Sequence, residues 1–169
     1  MTISFKKFKG LFESDEKKKH KHRFIRHKTS KRAHPDETPD IVSELQEDEV
    51  FVFGSNLAGA HGGGAAYDAM RRFGAEWGVG VGMTGQSYAI PTMQGGIETI
   101  KPYVDDFIAF AKAHPEKFFI VTRIGCGIAG FRDSEMAPLF RDALQLENVC
   151  LPHAFLFCLA RLDYKEHKV

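Results

Sequence analysis

The chain has little of what builds a covalent or metal-bound framework. Its three cysteines, Cys126, Cys150 and Cys158, make neither an even set nor a CxxC pair, which argues against a disulfide scaffold and against a zinc site. No cofactor and no specific metal site is indicated, although the histidines near the N-terminus would hold a metal loosely, as a histidine tag does. Long apolar runs are also missing. No stretch approaches the length of a membrane span and no apolar run follows the early lysines, so neither a secretory signal nor a membrane anchor is expected, and the location expected is cytoplasmic. The first glycine-rich loop, "GAHGGGAA" (59–66), is not followed by GK[ST] and does not fit GxGxxG with an acid at the expected downstream distance. Both absences count against a nucleoside-triphosphate loop and a standard dinucleotide fold.

Negative charge is scarce at one end only. Residues 1–34 carry 12 Lys and Arg against three acids, Glu13, Asp15 and Glu16, and they include four of the eight histidines. That segment is about nine charges positive, which leaves the rest of a chain of net charge +1 about eight charges negative. The basic part has few aliphatic side chains to bury against its ordering entropy, so residues 1–38 are expected to form a flexible, disordered arm. Between Lys17 and Arg32 its charge suits nucleic acid, an acidic protein partner or a membrane surface; a solvated tail that aids solubility is the plainer alternative.

What is present beyond Pro35 is a strand and helix alternation sized for one domain, residues 39–169, in a chain of 169 residues that is 43% hydrophobic. "EVFVF" (49–53) predicts a strand and "AAYDAMRRF" (65–73) a helix closed by Gly74; "SYAI" (87–90) predicts a strand stopped by Pro91. In "IETIKPYVDDFIAFAKAH" (97–114), Ile100, Tyr103, Val104, Phe107, Ile108 and Ala111 have the spacing of an amphipathic helix, with Pro102 tolerable in its first turn. "KFFIVT" (117–122) predicts a buried strand, "DSEMAPLFRDAL" (133–144) one helix capped by Asp133 or Ser134, and "NVCL" (148–151) another strand. The C-terminal "HAFLFCLARLDYKEHKV" fits either a strand or a helix. Phe107, Phe110, Phe118, Phe119, Phe140, Phe155 and Phe157 follow these periodicities and are expected in the core, whereas Trp77 in "EWGVGVGMTGQ" is expected on a mobile loop. The class is α/β, with a mostly parallel or mixed sheet.

All glycines but Gly10 of the 16 lie between Gly54 and Gly130, and they cluster in two loops, "FGSNLAGAHGGGAA" (53–66) and "RIGCGIAGF" (123–131). Each follows a strand and precedes a helix. Ligands of layered α/β folds bind at such strand ends, and glycine there exposes backbone N–H groups that suit a phosphate.

"NLAGAHGGGAAYDAMRRFG" (56–74) resembles the macro-domain segment in which an asparagine precedes a glycine run, a helix and a glycine; "GIAGF" (127–131) resembles that family's second loop, and "QSYAIP" its intervening strand. The likeness spans roughly residues 40–152 and is greatest to a macro-like family of small bacterial and phage proteins. It implies a three-layer domain with a central mixed sheet, binding ADP-ribose or a related nucleotide. By that likeness Gly62, Gly63 and Gly64 would wrap the distal ribose, and Asn56 would bond its hydroxyls. The N–H groups of Ile128, Ala129 and Gly130, in the loop with Cys126 and Gly127, would cradle the diphosphate. Phe131 would lie against the ribose, and Asp40 would recognise adenine, unless it is a plain solvated acid.

One departure bears on catalysis. Ala66 stands where hydrolases of that family carry an aspartate, with Asp68 two residues on, and His61 stands at the first position of the glycine run. If the chain is an enzyme, it is expected to hydrolyse an ADP-ribose derivative with His61, in an accessible loop, as general base beside Asn56, or else to use His61 only for contact. Cys126 suits either a nucleophile with a lowered pKa or a packed turn. The alternative function is a non-enzymatic interaction protein whose basic arm docks a macro-like module on nucleic acid, a virion or an acidic partner.

Overall fold

A computed structural model describes residues 32–166; the rest of the basic arm, and its expected disorder, lie outside the described residues. The domain is α/β. Five strands, β1 (Glu49–Ser55), β2 (Gly82–Thr84), β3 (Ser87–Pro91), β4 (Phe118–Val121) and β5 (Val149–Cys150), form a mixed sheet in the order β2-β3-β1-β4-β5. All neighbours run parallel except the β2–β3 pair.

Strand β1 is central because its sequence is apolar on both faces. Phe51 and Phe53 point to one side, where α1 (Gly64–Arg72) supplies Ala66 and Ala69. Val50 and Val52 point to the other, onto the main core, where α2 (Ile97–Ala113) contributes Ile100, Val104 and Phe107. Such period-two alternation is what a sheet covered on both faces requires. The chain leaves β1 for β3 on one side, then crosses over to β4 on the other. This reversal opens a crevice at the carboxyl end of β1.

Several elements differ from the sequence expectation. The helix predicted over 133–144 divides into α3 (Asp133–Met136) and a 3-10 segment, Ala137–Gln145, with Pro138 at the start of the latter. Its first cap is Arg132, whose backbone N–H is bonded by Glu135 Oε2 at 2.8 Å. Pro102 is the sixth residue of α2, past the first turn, on an exposed part of the helix where a missing N–H costs least. Part of the loop around Trp77 is β2, which pairs with β3 through Gly85; Trp77 itself is exposed. The C-terminal segment is a helix, α4 (His153–Glu166), and Phe157 lies on its exposed side. Gly74 ends α1 with φ 77°, as its residue type predicts.

The segment that joins the basic arm to the domain is packed on it. Arg32 Nη2 lies 2.6 Å from Oε2 of the fully buried Glu49, and the His34 ring stacks on Phe118 with centroids 4.1 Å apart. Thr38 donates its backbone N–H to Leu151 at 2.9 Å and its hydroxyl to the Val121 carbonyl at 2.6 Å. Among the described residues no helix is long and apolar enough to cross a membrane.

Candidate functional site

Two adjoining cavities lie at the carboxyl ends of the central strands. The smaller, about 230 Å³, is bounded by the end of β1 at Gly54, Ser55 and Asn56, by the start of α1, and by the second glycine loop. The larger, about 740 Å³, lies between the segment after Thr38, α1 and the start of α4. Gly64, Ala65, Thr122 and Arg123 belong to the walls of both. The two cavities meet at this band.

The glycines sort into two kinds. Gly59, with φ 64°, and Gly80 pack against backbone, so a Cβ on either would strike the facing loop; they lock the first glycine loop to the segment around Gly78. Gly62 and Gly127 have no heavy atom within 4 Å of where a Cβ would stand and no left-handed φ, so internal packing does not explain them. Gly63 would meet only the tip of Ile128 at 3.4 Å. Glycine at such positions leaves the backbone open to a ligand.

Residues with unpartnered backbone N–H groups line the smaller cavity. The N–H groups of Gly127, Ile128 and Ala129 have no acceptor among the described residues, whereas Gly130 donates to the Gly127 carbonyl at 3.0 Å. The donor set is thus one residue earlier than the resemblance implies. Gly63 caps α1 without a side-chain bond, and no acid occupies the helix's first turn, so its leading N–H groups are also open. The hydroxyls of Ser55, Thr92 and Thr122 are turned instead to the carbonyls of Asn56, Ser55 and Val52.

The other sequence candidates divide. Gly63, Gly64, Gly127, Ile128, Ala129 and Asn56 line the smaller cavity; Gly62, Gly130, Phe131 and Cys126 do not, and Phe131 packs against the main core. Asp40 lies on the wall of the larger cavity. Asn56 uses its amide to shape the loop, donating to Ala60 O at 2.9 Å and accepting from Ala60 N at 3.0 Å.

His61 is not the accessible loop histidine that the sequence suggests. It is fully buried, edge-on to Phe53 with centroids 5.2 Å apart, and its Nε2 donates to the Val79 carbonyl at 3.2 Å. The ring fastens the first glycine loop to the segment around Gly78 and is absent from the cavity walls. Cys126 is also removed from the role of activated nucleophile. Burial, reinforced by the carboxylate of Asp133, pushes its thiol up to about 12, the opposite of the lowered value that such a nucleophile needs.

Arg123 is the residue that sequence reasoning passed over. Among the described residues it is the sole ionisable side chain on the wall of the smaller cavity, with Nε 3.0 Å from Asp133 Oδ1 and Nη2 2.8 Å from Oδ2. The Asp133 carboxyl is held below its usual range chiefly by that hydrogen-bonded guanidinium.

No family model, curated protein or solved structure matches the chain.

Ala66 is buried beneath the start of α1, and Asp68 faces the larger cavity, so a shift of register does not bring a carboxylate to Asn56. Among the described residues no group of three or more His, Cys, Asp and Glu is placed to hold a metal ion.

Proposed function

We propose that the chain binds ADP-ribose or a closely related nucleotide in the two joined cavities, as a macro-like domain. The observation that carries this reading is Gly127, a glycine on the wall of the smaller cavity with neither packing nor backbone reason to be glycine, followed by the N–H groups of Ile128 and Ala129, which have no acceptor among the described residues. Those groups and the start of α1 favour an anion such as a diphosphate. The larger cavity, with Asp40 on its wall, has room for a base and ribose. Binding without turnover is the form the site favours, because among the described residues the wall of the smaller cavity carries no carboxylate or imidazole to activate water.

Calorimetric titration of ADP-ribose into the full-length protein and into Gly127→Glu tests this. The glutamate fits without strain, because nothing lies within 4 Å of its Cβ, yet its charge opposes a diphosphate. Micromolar binding that weakens more than about tenfold in the variant supports the reading. Absence of binding to the unaltered protein overturns it.

A further inference from the structure

Backbone N–H groups donate to any hydrogen-bond acceptor, neutral or charged. They position a ligand but discriminate weakly by its net charge. Discrimination by charge needs a fixed ionic group, and the smaller cavity has one.

Arg123 stands where the cavities meet, facing Gly64 and Ala65 at the start of α1. A molecule that lies through both cavities passes between the guanidinium and that helix end. Asp133 grips the guanidinium through Nε and Nη2, while Nη1 has no partner among the described residues and the side chain is 57% exposed. The fork is oriented from behind and open in front. A lysine would supply charge at this place but not that fixed plane.

We propose that Arg123 is the specificity-determining side chain that makes the site demand an anionic bridge between two uncharged ends, as in a nucleoside diphosphate sugar, with Asp133 as its positioning residue. This rests on the nucleotide reading above. In the free protein Asp133 balances the guanidinium; in the complex the bridge oxygens share it through Nη1 and supplement the N–H groups of Gly127 to Ala129. Asp133 keeps its place in both states, so binding needs no loop movement.

The test is titration of ADP-ribose at low and high salt into the full-length protein, Arg123→Gln and Arg123→Lys, each checked for an unchanged melting temperature. Arg123→Gln is expected to weaken binding about tenfold or more and to flatten its salt dependence, because a charge-assisted contact is lost. Arg123→Lys is expected to recover part of the affinity and the salt dependence. Unchanged affinity in Arg123→Gln, a loss with the salt dependence intact, or no recovery by lysine would each overturn the role. Failure of the unaltered protein to bind ADP-ribose is a separate result, which overturns the nucleotide reading and this inference with it.

Discussion

A Cβ on Gly80 would overlap the carbonyl oxygen of Asn56, so two loops well apart in sequence touch backbone to backbone where the first glycine loop begins. Gly62, a few residues further on, faces open space. Gly80→Ala is therefore expected to destabilise the fold by about 3 kcal/mol, the upper range for overpacking, whereas Gly62→Ala stays within about 0.5 kcal/mol. Gly62→Glu should leave melting unchanged while reducing nucleotide affinity. Chemical denaturation of the three variants, with titration of the last, checks both halves.

His61 works as a fastener, and its removal should be felt in stability. His61→Ala deletes a buried ring and the bond to Val79, a loss of about 2–4 kcal/mol. Ligand affinity measured well below the variant's melting temperature should change by only a few fold. A variant of native stability that has lost all binding would instead return His61 to the site.

Cys126 should resist alkylation near neutral pH. With its thiol pushed up to about 12, it carries very little thiolate at pH 8, so iodoacetamide should modify it at least about a hundredfold more slowly than an exposed cysteine. The sign of the linked stability follows. The folded state holds the proton more tightly than the unfolded one, so this contribution is complete below the ordinary thiol pKa and is lost as pH rises toward 12. Mass spectrometry of alkylation against pH in the native protein, beside an unstructured cysteine peptide, reports it.

Thr38 ties the segment from the arm to the sheet. Its hydroxyl reaches the Val121 carbonyl at 2.6 Å and the Cys150 carbonyl at 3.3 Å, both in the interior. Thr38→Val keeps the shape and removes the donor, which should cost about 1–3 kcal/mol. Thermal unfolding beside Thr38→Ser, which keeps the hydroxyl and should lose less, distinguishes the bond from packing.

Local pattern was enough for the main elements. The unbroken apolar run in β1 and β4, the 3.6-residue spacing of Ile100, Val104 and Phe107, and Gly74 after α1 are signals that act within a few residues, and each matches its element. The paired glycine loops at strand ends were likewise visible, because the repeating order of strand, loop and helix places them at one edge of a sheet. Two errors arose from features that compete locally: the 3-10 geometry after Met136, and β2, whose three residues are too few and too glycine-rich to show alternation.

What the sequence by itself determined is the α/β class, the core faces of β1, α1 and α2, and the two loops where a ligand would sit, all set by short-range periodicity and by residue type. Only the tertiary structure decided the use of each loop residue. His61 is buried because Val79, 18 positions away, comes to meet it; Arg123 is held at the junction because Asp133 reaches back across the second loop; and Gly80 and Gly62, alike in sequence, face a backbone and open space. These are long-range contacts, fixed by how the whole chain packs, and no local pattern carries them.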